Sequence, residues 1–127
     1  MREELKQVIA RAEDCLEDAR YLFEGNRNEA AVNRAYYAVF TAVQGLLLDK
    51  EVFVKTHAGA KVKFNELYIK TGLLPLDYGK IFENIFALRQ EADYDFSAVI
   101  SAEDSRQAID DADKFIRGVK TFLVSLG

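Results

Sequence analysis

The stretch "RNEAAVNRAYYAVFTAVQGLLL", residues 27–48, constrains the fold more than any other part of the chain. Its residues favour helix, and apolar side chains fall on nearly every side of that helix. A helix of this kind is stable only when other elements surround it. The rest of the chain must therefore supply the surroundings, and these 22 residues become a central helix.

The flanking segments carry the complementary pattern. Leu5, Val8, Ile9, Ala12, Leu16, Ala19, Leu22 and Phe23 recur at steps of three and four, which places one apolar stripe on a long helix ended by Gly25-Asn26. After the central helix, "DKEVFVK" reads as a short irregular or extended connector. Thr56 can cap a third, partly amphipathic helix through "HAGAKVKFNELYIK". Gly72 and the single proline, Pro75, bracket a turn, after which Tyr78, Ile81, Phe82, Ile85, Leu88, Ala92 and Phe96 form a fourth stripe. Ser101, followed by acids, is placed to cap a final helix with its stripe from Ala108 to Leu123. These elements predict an all-α, up-and-down bundle of four to five helices forming one domain over residues 1–127.

Composition narrows the setting. A formal charge of −4 argues against coating nucleic acid by bulk electrostatics, yet residues 50–80 carry six lysines against three acids, +3 locally and −7 elsewhere. That local excess fits a solvated helix face and a phosphate-binding surface equally. The amino terminus is charged from Arg2 onward and holds no apolar run of signal-peptide or membrane-span length, so no membrane association and a cytoplasmic location are expected. The single cysteine, Cys15, suits a reducing compartment and reads as a packing residue. No metal site is expected, because one histidine and one cysteine provide no ligand set. Nor does any motif call for a cofactor.

Several residues break the helical pattern. At about 100° per residue, Arg89 falls inside the arc of Tyr78, Ile81, Phe82, Ile85 and Ala92, with Asp93 one turn on at its edge. The acid lies C-terminal to the base and near a helix end that disfavours negative charge, a poor arrangement if helix stability were its only purpose. Arg89 could pack its stem and send its head to solvent or to Asp93, or it could face a polar cleft or a subunit interface. On the central helix, Asn33, Arg34, Tyr37, Thr41 and Gln44 form a polar strip whose buried members need partners, and Arg89 with Asp93 are the charged candidates. An internal network and a dimer interface would each satisfy them. His57, at the start of the third helix, could be structural, a general base or a phosphate contact. Tyr94 leaves the apolar arc, which exposes its hydroxyl beside Asp93 and Asp95.

The order "NRAYYAVFTAVQGLL", "KTHAGA", "TGLLP" and "LRQEADYDF", followed by an acidic amphipathic helix, resembles the small free-standing HEPN-domain proteins of bacteria and archaea along nearly the whole chain. "RAYYA" and "RQEADYD" are the specific parts. The resemblance implies a helical bundle that commonly dimerises, with the motif arginines of two subunits facing a shared cleft. Many such proteins are metal-independent endoribonucleases. Others pair with a minimal nucleotidyltransferase as toxin and antitoxin, and the transferase can adenylylate a tyrosine of its partner, a role that would fall to Tyr94 here.

The family's nuclease motif is an arginine, often followed by a polar residue, then four to six residues and a histidine. Arg89 and Gln90 match its beginning, but Tyr94, Asp95 and Phe96 occupy the positions where the histidine would stand. Metal-free RNA cleavage needs a base for the 2′-hydroxyl, an acid for the leaving oxygen and a cation for the charge developing on phosphorus. Arg89 can supply only the cation, so catalysis would recruit His57 or Asp93. The leading expectation is a homodimeric partner of a nucleotidyltransferase that binds nucleotide or RNA through Asn33, Arg34, Tyr37 and Lys55 beside Arg89 and Asp93. An endoribonuclease toxin using Arg89, Asp93 and His57 is the alternative, and a purely structural helical module is the third reading.

Overall fold

The computed structural model describes residues 1–127 and contains five α-helices and no strand. α1 spans Glu3–Glu24, α2 Asn28–Asp49, α3 His57–Phe64, α4 Leu76–Tyr94 and α5 Ala102–Ser125. A single π turn, Asn65–Ile69, extends α3.

The stop after α1 has a specific cause. Asn26, not Gly25, takes the left-handed conformation, with φ 62°. Arg27 N–H then reaches Leu22 O at 2.9 Å and Asn26 N–H reaches Phe23 O at 3.0 Å, the paired bonds of a Schellman motif. α2 ends in the same way. Glu51 adopts φ 58°, while Val52 and Glu51 N–H bond to Leu47 and Leu48 O. Thr56 Oγ1 accepts from Gly59 N–H and Ser101 Oγ accepts from Asp104 N–H, each at 3.0 Å, so both anticipated caps form. The π turn buries Tyr68, whose hydroxyl donates to Leu46 O on α2.

α2 lies at the centre, packed against α1, α3, α4 and α5, and α5 closes its far side. Alanines at 31, 35, 38 and 42 and Gly45 let neighbouring helices approach its backbone; a Cβ at Gly45 would already press on Val8 of α1. Because Gly45 faces α1 and Tyr36 faces Phe86 of α4, the remaining arc of α2 falls between those two helices. That arc stays half open. It carries Asn33, Arg34, Tyr37, Thr41 and Gln44, the polar strip of the sequence.

One expectation fails at the end of α4. Phe96 does not join the apolar stripe: the helix stops at Tyr94 and Phe96 is 98% exposed. Asp95 turns the chain by accepting from both the backbone N–H and the hydroxyl of Ser97, a local competitor that helical periodicity does not register.

Candidate functional site

The N-terminal half of α2 and the C-terminal half of α4 together build a charged cluster at one end of the half-open arc. Arg89 Nε lies 2.8 Å from Asp93 Oδ2, one helical turn away, with the two side chains 16% and 24% exposed. The Nε–H is not aimed to make a hydrogen bond, so this contact is chiefly coulombic. Nη2 of Arg89 donates instead to the Tyr37 hydroxyl at 3.2 Å.

Aromatic rings replace much of the water the guanidinium gives up. Its central carbon lies 5.2, 5.4 and 5.6 Å from the ring centres of Tyr36, Tyr37 and Tyr94, which form a three-tyrosine cage. Asp93 Oδ2 also accepts from Asn33 Nδ2 at 3.0 Å. Asn33 Oδ1 in turn accepts from Nε and Nη2 of Arg34, at 3.2 and 3.0 Å, and Arg34 lies over the Tyr37 ring. The cluster thus holds two guanidinium groups and one carboxylate, with Arg34 linked to Asp93 only through the Asn33 amide. The cluster carries an excess of one positive charge, and most of the five N–H donors of Arg89 have no protein acceptor.

His57 sits behind this cage rather than in it. The Tyr36 hydroxyl and His57 Nδ1 share a hydrogen bond of 3.0 Å, and the imidazole stacks on Phe86 with a centroid separation of 3.5 Å. Burial holds its pKa below the ordinary value, with Lys61 and Arg89 acting in the same direction and Glu83 opposing. Burial likewise pushes the Tyr36 phenol up to about 12, although Arg89 pulls it down. His57 Nε2 is buried without a partner, so neither ring nitrogen faces open solvent as a base would need to.

The other residues named from the sequence divide between two places. Asn33, Arg34, Tyr37, Arg89 and Asp93 meet in the cluster. Tyr94 flanks it, 66% exposed. Lys55 does not join them; with Thr41 and Gln44 it lines a separate cavity toward the other end of α2. Tyr36 is the residue that sequence reasoning passed over, since it read as plain core. Its signal was the consecutive pair in "RAYYA": adjacent side chains leave a helix about 100° apart, so one ring turns to the core, the other to the open arc, and Arg89 lies against both. No cluster of three His, Cys, Asp or Glu side chains is placed to hold a metal ion, and no helix is long and apolar enough to cross a membrane.

A five-helix bundle with an arginine–aspartate pair held against the polar strip of its central helix defines a small all-α domain of the HEPN type. The chain belongs to the HEPN domain family, whose model matches residues 5–122. It is 34% identical to a UPF0332 protein of Thermotoga maritima, across 91% of this chain and 88% of that one. Two proteins of Methanocaldococcus jannaschii, each named "Putative toxin", are 33% and 35% identical; the matches cover 96% and 97% of this chain and 83% and 91% of theirs.

Proposed function

We propose that the chain is the HEPN half of a toxin–antitoxin-like pair, acting as a homodimer whose shared cleft takes nucleotide or RNA and whose cognate partner is a minimal nucleotidyltransferase. The observation that carries this reading is the state of Arg89: caged by three tyrosines, tied to one carboxylate, and left with uncommitted donors on a half-open face. A guanidinium in this state is pre-organised for phosphate oxygens. The part of the arc beside it, at Asn33, Arg34 and Tyr37, gives a second copy a surface to cover and leaves Thr41 and Gln44 outside the contact.

Tyr94 is the acceptor in this proposal. Its exposed phenol oxygen would attack the α-phosphorus of ATP in the partner's active site, forming the O–P bond of a tyrosyl adenylate while pyrophosphate leaves and a partner base takes the phenol proton. Co-expression with a minimal nucleotidyltransferase, followed by peptide mass spectrometry, should show one added adenylate on the peptide containing Tyr94. The two proteins should also co-purify, with the HEPN chain dimeric and Arg89→Ala weakening nucleotide or RNA binding. A strict monomer whose partner and nucleotide binding ignore Arg89→Ala would sink the reading and favour a structural module.

The relatives named "Putative toxin" give a specific reason to keep a second reading, a metal-independent endoribonuclease. Asp93 is then the better base than His57, whose free nitrogen is sealed. Cleavage of RNA by the purified chain alone, lost in both Arg89→Ala and Asp93→Asn, would establish it; intact RNA would remove it.

A further inference from the structure

The cavity that takes Lys55 lies between the first half of α1, the C-terminal half of α2 and the connector that leads to α3. Its volume is about 650 Å³, within the range of small-molecule sites, and no residue of α4 lines it. It is therefore separate from the Arg89 cluster. Half of its twelve lining residues are hydrophobic, drawn from all three elements with the connector giving Val52, Phe53 and Val54, so the lining can hold an apolar body and engage polar groups together.

The polar groups are uncommitted. Arg11 and Lys55 enter none of the ion pairs that tie the rest of the surface together. With Glu4 as the only acid in the lining, the cavity carries a net positive charge on a chain of net −4. Gln7 and Gln44 each offer an amide donor and acceptor from facing helices. Phe53, on the connector, is 79% exposed; it borders the cavity instead of packing into the core.

These features select one kind of occupant. An apolar peptide would gain nothing from the two cations and two amides, and a bare inorganic anion would leave Phe53 and the apolar lining wet. The geometry points to a binding site for a small aromatic anion: a flat ring system against Phe53 and the apolar lining, its acidic group on Arg11 and Lys55, and its ring edge within reach of Gln7 and Gln44. A nucleoside monophosphate and an aromatic carboxylate or sulfonate share this chemistry.

The test uses the full-length protein and 8-anilinonaphthalene-1-sulfonate, an aromatic anion whose fluorescence rises on binding. Saturable binding is expected at one probe per chain, with amide shift changes in NMR confined to residues 4–11, 41–48 and 52–55. Lys55→Glu, Arg11→Glu and Phe53→Ala alter exposed side chains. Each should weaken binding by about tenfold or more, as the loss of a charge-assisted contact or a stacking surface implies, whereas Arg89→Ala should leave it unchanged. Displacement by adenosine 5′-monophosphate would identify a nucleotide as the natural class, and displacement by 1-naphthoate alone an aromatic acid; both support the site. Binding that does not saturate, shift changes centred on Arg89, indifference to all three cavity variants, or equally tight binding of neutral 1-naphthol would overturn it. Because Arg89→Ala is the control here and the probe in the co-purification experiment, the two proposals fail independently.

Discussion

Replacing Arg89 by alanine should destabilise the bundle by about 2 kcal/mol, a value that follows from what the guanidinium touches. A desolvated ion pair broken on one side costs about 3–5 kcal/mol when fully buried. Here the two side chains keep 16% and 24% exposure, and Asp93 keeps its bond from Asn33, so solvent and that amide reduce the ionic part to about 1 kcal/mol. Loss of the three-ring cage adds about 1 kcal/mol more at these distances. The informative variant is the double one, Arg89→Met with Asp93→Leu, which removes both charges and restores apolar volume on a face that already holds Ile85 and Leu88. It should be as stable as the natural protein or more so, because a buried pair exchanged for packed hydrophobic side chains is commonly neutral or favourable. Urea unfolding followed by circular dichroism measures both, with the midpoint moving at constant slope. If the double variant proves as unstable as Arg89→Ala, the pair is a structural keystone, and the inference that it is retained for a ligand loses its energetic basis.

Three further outcomes follow from the packing. Gly118→Ala should cost about 1–3 kcal/mol in the same unfolding assay, because a Cβ there would overlap the Tyr78 hydroxyl and ring, and Tyr78→Leu in the same chain should recover much of the loss. Glu51→Gly should stabilise by about 0.5–1 kcal/mol, since glycine accepts the left-handed φ of 58° that a glutamate holds under strain. His57 is held below its ordinary pKa of 6.5, so the unfolded chain takes up the proton more readily; its contribution is fully present above pH 6.5 and is lost as pH falls from that value toward the folded pKa. His57→Phe should flatten that part of the stability–pH profile, and an unchanged slope would show the imidazole to be unlinked to folding.

How far the fold could be read in advance depended on whether a signal was local or relational. α2 was legible because an all-round apolar helix has only one physical solution, and the caps at Thr56 and Ser101 were legible because their chemistry acts over three residues. Arg89 and Asp93 were legible as a pair, since spacing alone puts them one turn apart. What periodicity omits is which neighbour covers which part of a face. The polar strip of α2 was a single feature in the sequence; in the fold its Asn33 and Tyr37 meet α4, Arg34 stays on Asn33 and Tyr37 of its own helix, and Thr41 and Gln44 turn to the cavity with Lys55. The π turn at Asn65–Ile69 was equally hidden, because it exists to carry Tyr68 to Leu46 O across a helix interface.

The absence of the motif histidine takes on a structural meaning once Tyr94 is placed. At the first position where that histidine would stand, Tyr94 sets its ring 5.6 Å from the Arg89 guanidinium and leaves α4 to end immediately after it. A histidine there would bring a titrating base beside the cation; a tyrosine brings a π face that holds the cation in place and a hydroxyl that is a weak base at neutral pH. His57 does not compensate, because Phe86 stacks on its ring, the Tyr36 hydroxyl occupies Nδ1 and Nε2 is sealed. At this position the chain therefore carries a ring that positions the cation and no imidazole to transfer a proton. Tyr94→His tests that difference: it restores the arginine–histidine spacing on a residue exposed enough to change without disturbing the core. RNA cleavage gained by Tyr94→His and absent from the natural chain would show that the missing imidazole was the only barrier, whereas continued inactivity would mean that the cluster lacks a nuclease geometry altogether.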